Sequence, residues 1–318
     1  MSNCNYNTQF KEVTKITDDF LLNILESNFK LYLDWAFLNI GSWFDSRIDQ
    51  SGLYGSNFHS TLINVEDESY DDGSVWQSIR KDWVWETGIL YNSGTPISIS
   101  GCYVNNTYIP YSSGSFEIDY PSGRIIFDNA INKNSKVKLN YSYRYIQTHR
   151  ALDNPWFDVL QFNTFETNNK DIIRQDNGDW SINSNMRVQM PCIIIESIPR
   201  SRSRPYELGN NNLIIEQDIS FHILAENKND RNKLMDILRL QQDNNIMLFD
   251  TNAISRDNNF PLDYNGNLKN NALMYPNIID QYSWRKCWIK NANLFEINSP
   301  HPNLHRGVVR YTLEIISS

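Results

Sequence analysis

Residues 190–242 read MPCIIIESIPRSRSRPYELGNNNLIIEQDISFHILAENKNDRNKLMDILRLQQ, and the fold turns on this stretch. It opens on the apolar run Cys192-Ile193-Ile194-Ile195, entered just after Pro191, and a continuous β-branched run suits a strand buried on both faces. A polar loop follows, and Leu213 to Leu224 then reads as a longer strand. Ile215, Gln217, Ile219, Phe221 and Ile223 fall on one side of it, with Ile214, Glu216, Asp218, Ser220 and His222 on the other. One face is therefore buried, with a single polar breach at Gln217. Asn227 is placed to cap a helix, with Asp230 three residues on where a capping box has its acid. Leu234, Ile237, Leu238 and Gln241 recur at helical spacing and lay an apolar stripe back on the strand pair. Nothing in this core looks catalytic.

The chain has 318 residues, enough for a sizeable core or two domains. Charged residues make up 21% and apolar ones 40%, the balance of a globular chain rather than a disordered one. The net charge of −8 weighs against general nucleic-acid binding while leaving room for a local basic patch. Cys4, Cys102, Cys192 and Cys287 are scattered without a C-x-x-C pair, which fits a reducing compartment better than a disulfide framework. The N-terminus has no apolar signal core, and no apolar run approaches membrane-spanning length. The expectation is a soluble protein made in the cytoplasm.

Working outward, residues 1–15 read as an arm. Thr17 followed by Asp18 and Asp19 is a helix start, and Phe20, Leu21, Ile24, Leu25, Phe29, Leu33, Ala36 and Phe37 give that helix a wide apolar face. Trp35 and Trp43 widen it, either as core or as contact with a neighbouring copy. Gly52 and Gly55 mark a loop. Glu66 to Gly73 invites a calcium-loop reading, but counted from Asp67 the sixth and twelfth positions are Asp72 and Ser78, so a solvated acidic turn is expected. Trp76, Trp83 and Trp85 interleave with Arg80 and Lys81, a pattern that stacks single-stranded bases or packs a joint between domains; the overall acidity favours the joint. From residue 94 short hairpins follow one another, ending in the alternation Val137, Leu139, Tyr141, Tyr143, Tyr145, until Asp153-Asn154-Pro155 breaks the pattern. Residues 94–147 thus read as an autonomous all-β module. Residues 250–280, rich in Asn with Pro261, Gly266 and Pro276, read as a long loop ordered by a partner.

No phosphate loop, dinucleotide fingerprint or nucleophile elbow is present. His301 and His305 are four apart, but Pro300 and Pro302 forbid a regular helix and the acid of a zinc motif is missing. No catalytic, metal or cofactor site is expected. The concentrated basic feature is Arg200-Ser201-Arg202-Ser203-Arg204, read as an extended loop with its arginines on one side, facing phosphate, an acidic partner or solvent.

The order of an N-terminal helix, Ile193 to Ser197, a strand ending Phe221-His222-Ile223-Leu224-Ala225, a helix with Asp230-Arg231-Asn232-Lys233-Leu234 and a terminal Tyr311-Thr312-Leu313-Glu314-Ile315 resembles the tail terminator and head-to-tail joining proteins of tailed bacteriophages. The strings Tyr103-Val104-Asn105-Asn106 and Ile118 to Phe127 also look like β modules of phage virion proteins. The chain departs from small terminators in its length, its β insertion and its 250–280 segment. The fold expected is α+β, a mixed β-sheet flanked by two amphipathic helices: residues 1–93 and 148–318 form the core, and 94–147 a small inserted all-β module.

The function the resemblance implies is a virion structural protein, a ring at the neck or head-proximal end of the tail, a hexamer first and a dodecamer second. It would join the tail tube or sheath protein to the head-side connector, with DNA passing through its lumen and no membrane involved. Arg200, Arg202, Arg204, Trp35, Trp43, Trp83 and Trp85 are the candidate interface residues. The alternatives are a carbohydrate-binding baseplate or receptor-binding module, and an enzyme acting on polysaccharide.

Overall fold

The computed structural model describes residues 15–49, 57–162, 172–175, 178–182, 187–206, 213–297 and 299–317. Nearly all of the expected N-terminal arm, the Gly52–Gly55 loop and residues 207–212 of the polar loop before Leu213 lie outside these residues. The chain is a mixed α/β protein with two large sheets.

The Ile193 run and its partner form as read. Strands Cys192–Pro205 and Leu213–Ala225 pair antiparallel at the centre of a six-stranded sheet. Gln147–Arg150 flanks them in parallel, and His305–Ser317, Ser283–Glu296 and Asn245–Phe249 extend the sheet in antiparallel order on the other side. Ile193, Ile195, Ile219, Phe221 and Ile223 pack under Leu25, Phe29 and Leu33 of helix Leu21–Asn39 and under Leu234 and Leu238 of helix Lys228–Arg239. Each such side chain, taken fully out of water, contributes about 1.5–3 kcal/mol. Cys192, Ile194 and Leu224 face the other way, beneath helix Pro155–Phe162 and a small sheet carrying Trp180 and Ile182. The Ile193 run is therefore buried on both faces, which is why it has no polar alternation. The Gln217 breach has a local cause: the strand pair shifts register between Ser197 and Ser201, and the Gln217 amide donates to the Ile198 carbonyl exposed by that irregularity.

Helix Lys228–Arg239 starts as expected, with Asn227 accepting from the Asp230 amide at 2.8 Å. The first helix starts later than expected, at Leu21, without a side-chain cap, because Asp19 is held instead by Asn252: its amide donates to Asn252 Oδ1 at 2.7 Å and its carbonyl accepts from Nδ2 at 2.9 Å. This helix is buried on several sides, giving Leu31 to the second core and Leu38 to a small cluster with Val84 and Ile89. That accounts for its wide apolar face within one chain.

Among its buried polar residues, Asn28 pins the edge strand. It accepts from the Phe249 amide at 2.8 Å and donates to the Phe249 carbonyl at 3.1 Å. Asn28→Ala is expected to cost about 2–3 kcal/mol, because both backbone groups of Phe249 lose their partner in a dry place. Denaturant unfolding reads this directly, and a loss below about 0.5 kcal/mol would mean water takes over the Asn28 role.

The second sheet has seven strands, in the order 107–110, 101–104, 137–139, 61–64, 75–77, 124–127, 116–119. It differs from the expected module in two ways. Strands Thr61–Asn64 and Val75–Gln77 lie in its middle, so the boundary drawn at residue 94 cuts through it. The expected single strand after Lys136 breaks at Asn140: Val137–Leu139 stays in the sheet, while Tyr141–Arg144 pairs with Trp43–Ser46. Local alternation carries no information about which distant strand will be the neighbour, and here Val137–Leu139 has Thr61–Asn64 on one side and Tyr141–Arg144 has Trp43–Ser46, both from before residue 94.

Residues 250–280 also differ from expectation. They form two short helices, Thr251–Arg256 and Asn277–Tyr282, and place Ile254, Ile278 and Tyr282 in the second core. The intervening turn is stitched to the seven-stranded sheet: Asn267 Oδ1 accepts from the Ile118 amide at 2.7 Å, and the Gly266 carbonyl accepts from Tyr120. Gly266 has φ +82°, and a Cβ there would stand 2.5 Å from Asp119 Oδ1. The segment expected as a partner-ordered loop is thus packed on the chain's own sheet.

Candidate interaction site

Two concentrations of charge stand out, one buried and one open. The buried one centres on Arg144, whose side chain is 2% exposed. It donates to the Trp83 carbonyl at 2.9 Å and reaches Asp82 at 3.2 Å and Glu86 more closely still, with Asp34 at 3.9 Å. Lys30 meets Asp34 at 2.8 Å, and Thr148 donates to the same carboxylate. Burial opposes ionisation of Asp34, but Lys30 and Arg144 outweigh it and hold the carboxyl below its ordinary value. For Glu86, burial wins over Arg144 and the value rises. These groups come from the first helix, the 82–86 segment and the strands on either side of Tyr145, so they tie the first helix and the six-stranded sheet to the strand pair formed by Trp43–Ser46 and Tyr141–Arg144. Arg144, Asp34 and Glu86 are buried, while the Asp82 and Lys30 side chains are 20% and 37% exposed.

The open site lies where the long strands of the six-stranded sheet run beyond their helical cover. Register places Arg202 beside Glu216 and Glu216 beside Glu314, with Asp218 beside Thr312 in the next row of that face. The expected arginine loop is thus a strand, and it is the Leu213–Ala225 partner that turns its alternate residues into one charged face. Lys290, the extra residue of a bulge in Ser283–Glu296, reaches Glu216 at 2.6 Å and Glu314 at 2.7 Å. Its hydrogen bond holds the Glu216 carboxyl below its ordinary value. Arg204 joins Glu314 at 3.2 Å, and Arg310 pairs with Asp218, which also accepts from Thr312 at 2.9 Å. Between these groups lies a cavity of about 300 Å³, lined by Arg200, Arg202, Glu216, Asp218, Arg310 and Thr312 together with Asn293 and Phe295.

Further along the same face the polar groups are closed in. His222 Nδ1 lies 3.0 Å from Arg306 Nη2 and Nε2 lies 2.7 Å from Glu196, while the ring packs on Phe157. Arg306 has only protons to offer, so Nδ1 accepts and Nε2 carries the proton to Glu196, a neutral tautomer that burial favours. His222 is a sheet-face link, 6% exposed. His301 packs on the Trp180 ring. Among the described residues, no group of three His, Cys, Asp or Glu side chains is placed to hold a metal ion, and no helix is long and apolar enough to cross a membrane.

The structure brings Arg200 and Arg202 together in the cavity and commits Arg204 to Glu314. It does not bring the tryptophans to them. Trp83 and Trp85 are buried inside the chain, 0% and 8% exposed. Trp35 and Trp43 are half-buried against the Leu38 cluster, beside Tyr275 and Tyr91. Glu216, Asp218, Arg310 and Glu314 were readable as polar-face residues from strand parity, although nothing local linked them to the arginines. Lys290 was hidden by its bulge. No family model matches the chain, and no curated protein or solved structure matches it either.

Proposed function

We propose that the protein is a virion structural component that forms a closed ring at the neck or head-proximal end of a phage tail. On this reading an α/β core like that of a tail terminator carries an inserted β module. The ring joins the tail tube or sheath to the head-side connector and acts by association, without turnover and without a cofactor. The observation that carries it is the open charged face: long strands project past their helices and present alternating arginines and carboxylates, a surface made for contact. The order of elements quoted above supports the same reading. A carbohydrate-binding baseplate module is the second reading, favoured by Tyr103 and Tyr108, which lie exposed with ring centroids 5.1 Å apart on one hairpin.

Native mass spectrometry and electron microscopy of the protein, alone and with tail tube, separate the two. The ring reading expects a closed oligomer, a hexamer or a dodecamer, that caps the tube. A monomer under every condition that binds polysaccharide through Tyr103 and Tyr108 would replace it with the second reading.

A further inference from the structure

We propose that the 300 Å³ cavity is a socket for a carboxylate-bearing turn, and that its occupant is the Glu66–Asp72 turn of a second copy of this chain. The proposal rests on the ring reading and names the contact that would close it. Both carboxylates lining the cavity are already committed, Glu216 to Lys290 and Asp218 to Arg310. Arg200 and Arg202 are exposed, and neither has an ionic partner among the described residues. The uncommitted charge in the cavity is therefore positive and carried by guanidiniums, whose planar donor forks match a carboxylate. Phe295, 47% exposed, gives the cavity one apolar wall. A nucleic-acid backbone fits this lining poorly, because a run of phosphates would pass Glu216 and Asp218 as well as the arginines.

The turn has the complementary make-up. It joins Thr61–Asn64 to Val75–Gln77 on the other sheet, and its residues 68–72 are exposed. Asp67 pairs with Arg124 at 3.1 Å and accepts from the Ser69 amide at 3.0 Å, while Lys133 holds Asp72. These internal bonds fix the turn before any contact, which lowers the entropy lost on docking. They leave Glu68 and Asp71 exposed, with no ionic partner among the described residues. Between them stands Tyr70, 39% exposed, an aromatic side chain of a kind that can lie on Phe295 while the two acids meet Arg200 and Arg202. Socket and turn are different patches of one chain, as a head-to-tail, ring-closing interface requires.

The test is charge reversal in the full-length protein, with assembly followed by sedimentation over a range of concentrations and salt. Arg200→Glu with Arg202→Glu, and separately Glu68→Lys with Asp71→Lys, should each raise the concentration needed for assembly by on the order of 10–100-fold. The quadruple reversal should restore it, and wild-type assembly should weaken with salt. All four side chains are exposed, so circular dichroism should match wild type; should a reversal unfold the chain, the Gln variants replace it, with a smaller loss expected. Wild-type assembly that neither pair disturbs overturns this contact and leaves the ring reading standing. A wild-type protein that is monomeric at every concentration and beside tail tube overturns both. Duplex DNA binding that is lost in Arg200→Glu/Arg202→Glu while assembly is unchanged would assign the socket to nucleic acid and overturn the proposal.

Discussion

Arg144→Met is expected to destabilise the fold by about 3–5 kcal/mol, the loss typical of breaking a buried ionic network by removing one partner. Methionine fills much of the arginine volume but leaves buried Asp34 and Glu86, and partly exposed Asp82, without the guanidinium, with Lys30 paired to Asp34. The Trp83 carbonyl loses its donor as well. Arg144→Lys should recover only part of the loss, since one ammonium cannot reach three carboxylates and a carbonyl that a planar fork reaches together. Equilibrium unfolding in urea provides the measurement. A loss under about 1 kcal/mol for the methionine variant would mean that the carboxyls simply take up protons and that the network contributes little.

Trp83→Ala is expected to cost a further-reaching 3–5 kcal/mol, roughly the range for deleting a fully buried large aromatic side chain. Its ring packs on Tyr141 with centroids 4.7 Å apart, and its Nε1 donates to Ser78 Oγ at 3.1 Å and to the Arg80 carbonyl at 3.0 Å. The sequence placed Trp83 among the interface candidates, so the experiment decides between two roles. If Trp83 is core, the isolated subunit loses stability, and whatever remains folded assembles normally. A variant with wild-type unfolding and defective assembly would return Trp83 to the surface. Half-buried Trp35 and Trp43 should show smaller losses in the same assay, because part of each ring already meets solvent.

Much of the architecture was legible in local pattern. The Ile193 run, the alternation from Leu213 to Leu224 and the capped helix after Asn227 all depend on forces acting within a few residues: periodicity, a hydrogen bond from Asp230 to Asn227, the burial of every second side chain. The late start of the first helix was not legible in the same way, since Asn252, more than two hundred residues on, takes the Asp19 backbone away from a cap. Residues 250–280 differ from the expected loop because their Asn, Gly and Pro content hides the apolar side chains that count. Leu262, Leu268 and Met274 pack against a core built by a different part of the chain.

The candidate site divides along the same line. Sequence alone determined that Arg200, Arg202 and Arg204 lie on one side of an extended segment, and that Glu216 and Asp218 share a face of the next strand, because a strand alternates its side chains whatever its surroundings. Only the tertiary structure decided that these faces coincide. Register set Arg202 against Glu216, the third strand brought Arg310 and Glu314, and a bulge turned Lys290 onto the carboxylates. It likewise decided that Trp83 and Arg144 lie inside. Burial is a property of what packs on a residue, and for both of these the covering groups arrive from sheets and helices distant in the chain.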